Sequence, residues 1–223
     1  MHINTMVPAP VSENTLNQLK DWFDTYVAGF SDEDPDIHQN LDIKIAHTRR
    51  VCKEIVQLGQ QLGLKNDALR LAELIALLHD VGRFEQYFTY RTFKDSKSED
   101  HATLGVKVIE EQDLLKDLEP AIGDIVIRAI RHHNRLALPP NEKDPALFYE
   151  KLIRDADKLD IWYVVLNYYY RTDGSKNRAI ELDFPDILDV SSHVLEDLRH
   201  HRLVHIDHVR TLNDFKLLQM GWI

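Results

Sequence analysis

The sequence predicts an all-α protein, organised as a single-domain helical bundle, and three observations support this prediction. Apolar residues recur at helical spacing along most of the 223 residues. Only eight glycines and eight prolines interrupt the chain. No stretch alternates for long between apolar and polar residues, as a half-buried strand would. We therefore expect one domain over residues 1–223, with a core at 40–165 and helical flanking segments at 1–38 and 180–223.

The individual helices are placed by their apolar spacing and by the residues at their ends. Asn66 and Asp100 are good capping residues, so each is expected to begin a helix. The segments "SDEDPD", "YRTFKDSKSED" and "LALPPNEKDP" are polar or proline-containing and are expected to separate helices. We predict helices at about 11–30, 39–62, 66–80, 100–112, 118–133, 146–171, 187–201 and 207–220.

Charge, hydropathy and cysteine content limit the class of protein. The formal net charge of −10 argues against a general nucleic-acid-binding surface, because such surfaces are usually basic. The apolar runs are far shorter than the ~20 residues of a membrane span, and the N-terminus lacks the pattern of a signal peptide. Cys52 is the only cysteine, which excludes an internal disulfide and fits a reducing compartment. We expect a cytoplasmic protein that binds neither membranes nor nucleic acid in general.

Four of the predicted helices each carry a histidine on the stripe that should face the interior. His47 stands four and eight residues before Val51 and Ile55, which is the spacing of a buried helix face. The histidines at equivalent positions on the other three helices are His79, His101 and His133. A buried polar side chain is costly unless it is hydrogen-bonded or binds an ion. One such histidine would indicate a hydrogen-bonded core residue, but four together predict a metal site.

A fifth helix, with the sequence "LIRDADKLDIW", adds carboxylates to this set. Asp155, Asp157 and Asp160 lie in it beside apolar residues. Imidazole nitrogen combined with carboxylate oxygen suits Mn, Fe, Zn, Co or Ni, whereas Mg and Ca prefer shells of oxygen alone. We expect one or two divalent transition-metal ions, with Mg also considered.

The order of these residues resembles that of the HD superfamily of metal-dependent phosphohydrolases. In that superfamily a histidine, a later His-Asp pair and a distal aspartate lie on the helices of an α-helical bundle. The segments that resemble these elements here are "AHTRRV", "LLHDVGRF" and "RDADKLD". Two further segments, "DHATLG" and "AIRHHN", resemble the additional histidines of members with two metals. The metal ligands that the resemblance implies are His47, His79, Asp80, His101, His133 and Asp157.

The resemblance also implies roles for individual residues of the site. Asp80 would be the carboxylate that bridges two ions. Asp155 would contact a ligand residue without binding the metal itself. His132 is the alternative to His133. We favour His133 because it continues the apolar stripe of its helix and better matches the position of the family's histidine.

A phosphorylated substrate needs cationic contacts besides the metal. Arg83 lies one turn beyond the His79-Asp80 pair, and it is our first choice because a planar guanidinium suits phosphate. Lys158, which lies next to the distal aspartate, is the second choice for a phosphate contact. A structural ion pair of Arg83 with Glu85 or Asp100 is the competing hypothesis. The catalytic residues expected are therefore Asp80, Arg83 and Lys158. The further cations considered are Arg49, Arg50, Lys94 and Lys97.

The expected function is hydrolysis of a phosphoester of a small molecule by metal-activated water. A nucleotide is the favoured substrate class, since the superfamily includes nucleotidases, triphosphohydrolases and cyclic-nucleotide phosphodiesterases. A diiron oxygenase is an alternative, because the pattern of four histidines and two aspartates also occurs in oxygen-activating members. Another alternative is a metal-binding regulatory module without strong catalysis. The histidine-rich segment "HRLVHIDH" lacks the apolar placement of the others and is expected to be solvated or at an interface.

Overall fold

The computed structural model describes residues 11–30, 32–170 and 176–222, and its regular structure is helical throughout. No β-strand occurs in these residues, which confirms the predicted all-α class. Two short 3-10 helices cover Asp95–Lys97 and Ile206–His208. The α-helices are α1 (Glu13–Ala28), α2 (Pro35–Gln61), α3 (Asp67–Leu78), α4 (Gly82–Tyr90), α5 (His101–Glu111), α6 (Pro120–His132), α7 (Ala146–Tyr169), α8 (Ser192–Arg199) and α9 (Leu212–Met220).

Parts of three predictions lie outside the described residues, namely residues 1–10 and 31 of the N-terminal flank, residue 171 at the end of a predicted helix and residue 223 of the C-terminal flank. The chain divides into two compact units, the first ending at Ile161 and the second beginning at Trp162. The single domain predicted over 1–223 stays a prediction. Within the described ranges, no helix combines the length and apolar character that crossing a bilayer requires.

Helix α2 begins four residues before its predicted start because of its capping sequence. The Asp34 side chain accepts a hydrogen bond from the Asp36 backbone N–H (2.9 Å), and Pro35 occupies the first helical position. Proline is favoured there because the N–H that it lacks would have no helical partner. The segment "SDEDPD", which was expected to separate helices, therefore starts one.

The first unit is built around α3, whose apolar residues are buried. Leu74, Ile75 and Leu78 have no exposed surface. Helix α3 packs against α1, α2 and α6. Because α3 ends at Leu78 in these apolar surroundings, the next two residues, His79 and Asp80, are held in the interior although both are polar.

Helix α4 was not predicted, and Gly82 accounts for the difference. A glycine directly after the His-Asp pair is a poor helix former and did not indicate a new helix. A Cβ atom on Gly82 would clash with the His101 carbonyl oxygen and lie 2.5 Å from the Gly105 backbone nitrogen. The missing side chain therefore allows α4 to approach α5 closely. Phe84 and Tyr87 are buried on α4 and hold it in the unit.

The second unit has its own apolar core around α8 and α9. The buried residues of this core are Phe184, Val194, Val204, Val209, Leu212, Phe215 and Leu218. Asp214 forms a capping box with Thr211 at the start of α9, and its carboxylate also accepts hydrogen bonds from the N–H (2.7 Å) and hydroxyl (2.6 Å) of Ser191. These hydrogen bonds hold the residues before each helix in a non-helical conformation. As a result, α8 and α9 each begin five residues after the predicted start.

Candidate metal centre

Five helices bring the predicted metal ligands together in the first unit. His47 lies within α2 and Asp157 lies within α7. The other histidines lie at helix ends, since His79 directly follows α3, His101 begins α5 and His133 directly follows α6. All four histidines are buried, with 6% or less of their surface exposed. The prediction that these side chains face the interior is confirmed.

Asp80 stands between two pairs of histidines and turns one carboxylate oxygen toward each pair. Its Oδ2 lies 3.5 Å from His47 Nε2 and 3.7 Å from His79 Nε2. Its Oδ1 lies 3.6 Å from the Nε2 atoms of both His101 and His133. A carboxylate in this position can bridge two cations, one on each side.

Asp157 completes the first of these two groups. Its Oδ1 lies 3.1 Å from His47 Nε2 and 3.8 Å from His79 Nε2. The Asp157 side chain is 17% exposed, whereas the side chains of the other five predicted ligands are at most 4% exposed. Solvent therefore reaches the cluster most readily on the side of Asp157.

His47 and His79 each use one ring nitrogen for support and direct the other into the cluster. His47 Nδ1 lies 2.6 Å from Asp160 Oδ2, and His79 Nδ1 lies 2.7 Å from the Ala76 carbonyl oxygen. The Nε2 atoms of both rings are buried and make no hydrogen bond of good geometry, although Asp157 Oδ1 lies 3.1 Å from Nε2 of His47. Buried nitrogens without a partner are rare, and metal-binding histidines commonly engage their second nitrogen in this way. These two Nε2 atoms are therefore suited to bind an ion.

His101 and His133 have the same arrangement on the other side of the cluster. His133 Nδ1 lies 2.7 Å from the Ile130 carbonyl oxygen, and His101 Nδ1 lies 2.8 Å from Asp95 Oδ2. Their Nε2 atoms are only 3.0 Å apart, so two lone pairs would repel unless a proton or a cation lies between them. Burial and the charge of Arg83 lower the pKa of His101 to about 4, so that its ring is neutral at pH 7.

The donor set fits one or two divalent cations. Two ligand atoms about 2.1 Å from one ion are roughly 3.0–3.4 Å apart at tetrahedral or octahedral angles. The contacts described above measure between 3.0 and 3.8 Å, and the ligand atoms within each group lie within 4.8 Å of one another, so small movements would complete the coordination. The two groups that could each hold an ion are His47, His79 and Asp80, and Asp80, His101 and His133.

Neighbouring lysine and histidine side chains keep both aspartates of the cluster ionised. Burial raises the pKa of Asp80, but Lys44 and His79 outweigh it and hold this pKa well below its usual range. Burial also opposes ionisation of Asp157, and contacts with His47 and His79 hold its pKa well below the usual range. Ligand carboxylates must be deprotonated to bind a metal, and these two are.

Asp160 makes the supporting contact that was predicted for Asp155. Besides its contact with His47, the Asp160 carboxylate accepts hydrogen bonds from Arg50 Nε (2.5 Å) and Nη2 (3.0 Å). Asp155 is exposed instead. Asp157 and Asp160 are three residues apart and share a helix face, whereas residues two apart point about 200° away from each other. The helical period within "RDADKLD" could have identified Asp160.

The Arg83 guanidinium holds the loop that precedes α5. Its Nη1 donates to the Gln86 side chain (2.7 Å), the Phe93 carbonyl oxygen (2.6 Å) and Asp95 Oδ1 (2.9 Å). Asp95 in turn contacts His101, and Arg83 Nε lies 3.6 Å from Asp80 Oδ1. Arg83 therefore supports the ligands both through Asp95 and directly at Asp80. Its carboxylate partners are Asp95 and Asp80 rather than the two considered from the sequence. The predicted contact of Arg83 with a substrate phosphate stays a prediction.

Lys44, which was not singled out from the sequence, contacts the cluster directly. Its Nζ lies 2.8 Å from Asp80 Oδ2, and its side chain is 18% exposed. Lys44 precedes His47 by three residues, so the helical period places both on one face of α2 and could have identified it. Lys158, predicted as a catalytic cation, is half-buried, and burial and the charge of Arg154 lower its pKa. Its catalytic role stays a prediction.

Of the other cations considered from the sequence, one forms an exposed ion pair and two lie at the first 3-10 helix. Arg49 pairs with Asp24 at 3.0 Å, and both side chains are 61% exposed. Lys97 is exposed in the first 3-10 helix, and Lys94 is half-buried just before that helix. Neither Arg49 nor Lys97 contacts the ligand cluster within the described part of the chain.

The two adjacent histidines at the end of α6 point in different directions. His133 enters the cluster, as described above. His132 Nδ1 instead lies 2.9 Å from Oε1 of Glu150, which is completely buried on α7. The geometry therefore favours His133 over its alternative as a ligand of the cluster.

An all-α fold with a buried cluster of histidines and aspartates defines a helical metal-binding protein. The HD domain family matches residues 45–162, more than half of the chain, and the chain belongs to this family. This range contains all six predicted ligands. Membership in the HD family and the ligand cluster together support a metal-dependent hydrolase.

Individual proteins resemble the chain only distantly. No curated protein is significantly similar to it in sequence. A similar solved structure is the crystal structure of a predicted HD superfamily hydrolase from an uncultured Thermotogales bacterium. The two are 21% identical, the similarity covers 82% of this chain and 88% of that chain, and the TM-score is 0.45.

Proposed function

We propose that the protein is a metal-dependent phosphohydrolase that cleaves a phosphoester of a small molecule with metal-activated water. Membership in the HD family and the ligand cluster support the metal-dependent hydrolase. A nucleotide is the substrate class proposed first, on the resemblance of the sequence to a superfamily that includes nucleotidases. A cytoplasmic location is part of the proposal and rests on the single cysteine, which fits a reducing compartment.

The position of Asp80 between two histidine pairs is the observation that carries this proposal. One oxygen faces His47 and His79, and the other faces His101 and His133, all at 3.5–3.7 Å. Two-metal hydrolases use such a pair of ions to hold both the attacking and the leaving oxygen of a phosphoryl group. The proposed ligands of the first ion are His47, His79, Asp80 and Asp157. The proposed ligands of the second are Asp80, His101 and His133.

The chain's own residues would bind and orient the substrate at this site. When bound, divalent ions supply polarisation of a phosphoryl oxygen and activation of water near neutral pH. Lys44 is partly exposed and next to Asp80, so it would donate a hydrogen bond to a phosphoryl oxygen and stabilise the charge that develops there. Arg83 and Lys158 are the further cations proposed for the phosphate.

A substrate panel with several metals tests the proposal. The purified protein is incubated with nucleoside mono-, di- and triphosphates and with phosphomonoesters that lack a base. Mn, Co, Ni, Mg or Fe(II) is added, with and without oxygen. We expect phosphate release that requires metal, does not require oxygen and is fastest for a nucleotide. Turnover that requires iron and oxygen would instead support a diiron oxygenase, and a metal-loaded protein inert to the panel would support a regulatory module.

A matched pair of variants on α7 shows whether the measured activity belongs to this site. Asp157→Asn removes the charge of a proposed ligand, whereas Asp155→Asn makes the same change at an exposed position two residues away. We expect the first to lose phosphate release and the second to retain it. Equal activity in both variants would show that the activity arises elsewhere or from a contaminant.

A further inference from the structure

A second group of metal-ligand side chains lies beside the cluster but does not belong to it. His132 ends α6, Glu142 lies in the loop between α6 and α7, and Glu150 lies in the second turn of α7. One ligand atom from each lies within 4.8 Å of the other two. None of the three is among the ligands of the centre described above.

The distances in this group suit a single ion. His132 Nδ1 lies 2.9 Å from Glu150 Oε1 and 3.9 Å from Glu142 Oε1. Ligand atoms on a tetrahedral zinc ion are about 3.3–3.5 Å apart, which lies between these two values. Movements of about half an ångström would therefore bring each of these two pairs to the spacing of ligands on one ion, and the ligand atoms of Glu142 and Glu150 lie within 4.8 Å of each other.

The Glu150 carboxylate provides an independent indication. The residue is completely buried, and its Oε2 atom has no hydrogen-bond partner. A buried carboxylate oxygen without a partner is costly unless a cation neutralises it. The ring of His132 engages only the other oxygen of this carboxylate.

Arg128 fixes Glu142 without occupying the oxygen that faces the group. Its Nη2 contacts Glu142 Oε2, which leaves Oε1 as the oxygen nearer His132. The side chains of His132 and Glu142 are 11% and 10% exposed, so a water molecule can reach the group as a fourth ligand. Imidazole nitrogen, carboxylate oxygen and water are all donors that zinc accepts.

We propose that His132, Glu142 and Glu150 bind a divalent transition-metal ion, of which zinc is the first to test. Its role is structural, because the three ligands tie the loop between α6 and α7 to the end of the helix that presents His133. This inference does not rest on the proposed phosphohydrolase activity. The competing explanation is a plain hydrogen-bonded pair of His132 and Glu150 beside an Arg128–Glu142 ion pair.

Zinc binding to full-length variants decides between the two explanations. Glu142→Gln and Glu150→Gln keep the size of the side chain and remove the charge. Glu110→Gln makes the same change at an exposed position on α5 and serves as the control. Each protein is dialysed against zinc and its bound metal is measured by mass spectrometry. The cobalt-loaded proteins are compared by visible absorption, which reports a tetrahedral site directly.

We expect Glu142→Gln and Glu150→Gln each to bind one zinc ion fewer than the wild type and Glu110→Gln. We also expect an Asp80→Ala protein, in which the main cluster is disrupted, to keep this zinc ion. Equal zinc content in all three glutamine variants would overturn the inference. If Glu150→Gln does not fold, Glu142→Gln decides the matter, because its side chain lies in a loop.

Discussion

The two units of the molecule are both rich in histidine, yet they use it differently. In the first unit four buried histidines turn their Nε2 atoms toward a shared space around Asp80. In the second unit the exposed rings of His193 and His205 lie near His208, whose Nδ1 contacts Asp197 at 2.6 Å. The described part of the second unit contains no group of side chains placed to hold a metal.

This difference shows that burial and the direction of the free ring nitrogen matter more than the number of histidines, because His208 has a carboxylate partner like that of His47 but is 37% exposed. His79 and His133 each directly follow a helix, and the Nδ1 of each lies 2.7 Å from a backbone carbonyl oxygen three residues earlier. That contact leaves Nε2 directed away from the helix and into the interior. His193 has no such neighbour in an apolar setting, because it lies exposed at the start of α8.

The largest effect is expected from Asp80→Ala, which removes the residue shared by both groups of ligands. Metal retention in the main cluster should be lost, and hydrolysis should fall by roughly 10³-fold or more, because two-metal charge stabilisation is worth several kcal/mol. Metal content and phosphate release are measured on the same preparation. Asp155→Ala is the control, and retention of both ions by Asp80→Ala would contradict the assignment.

Asp160→Asn tests whether the contact of Asp160 with His47 Nδ1 contributes to metal binding, although Asp160 is not itself a predicted ligand. The amide keeps the shape of the side chain but weakens its contacts with His47 and Arg50. Metal affinity or activity should fall by about 10–100-fold, the usual effect of removing such a partner. Titration with Mn in the variant and in Asp155→Asn provides the comparison. An unchanged affinity would show that His47 needs no charged partner.

Gly82→Ala tests the close approach that brings the His-Asp pair beside α5. The added methyl group would collide with backbone atoms of His101 and Gly105, so stability should fall by about 1–3 kcal/mol. Gly123→Ala, on α6, has open space around the new atom and should gain about 0.5–1 kcal/mol. Denaturant unfolding measures both, and similar values would remove the steric argument.

Arg83→Lys separates support of the loop from contact with substrate. Lysine lacks the planar guanidinium that holds Nη1 among Gln86, Phe93 and Asp95, so the melting temperature should fall by about 2–4 °C for a loss near 1 kcal/mol. If Arg83 also contacts phosphate, turnover per folded molecule should drop by about 10-fold with metal content intact. Unchanged turnover would remove Arg83 from the substrate site, and an unchanged melting temperature would argue against the structural contacts.

The smallest effect is expected in the second unit from His208→Ala. Metal content and hydrolysis should equal those of the wild type, with a slight fall in melting temperature at neutral pH. The hydrogen bond from His208 lowers the pKa of Asp197, so its stabilising contribution is present at neutral pH and lost as the pH falls through that lowered value. The difference from wild type should therefore vanish in acid. A loss of bound metal in His208→Ala would contradict the conclusion that only the histidines of the first unit bind metal.

The sequence was sufficient for the features that depend on spacing along one helix. The approximate positions of the described α-helices other than α4, and the burial of the four histidines, follow from the 3.6-residue period, which local sequence determines directly. The start of α2 at Pro35 was missed because capping by Asp34 overrode the polar composition of the segment. The same period, applied more strictly, would also have identified Lys44 and Asp160.

Features that depend on contacts between distant segments could not be predicted in this way. Helix α4 can start at residue 82 because glycine has no side chain that would clash with the backbone of α5. Only the folded structure reveals this contact. The pairing of Asp95 with His101 and Arg83 likewise joins a loop to two helices. Spacing along the sequence contains no information about such contacts.

The most direct test of the central claim is a crystal structure of the protein grown with Mn²⁺ and recorded near the manganese absorption edge. The account predicts two anomalous peaks on either side of Asp80. One should contact His47 and His79, and the other should contact His101 and His133. A single peak, or none, with Asp80 directed away from both histidine pairs would contradict it.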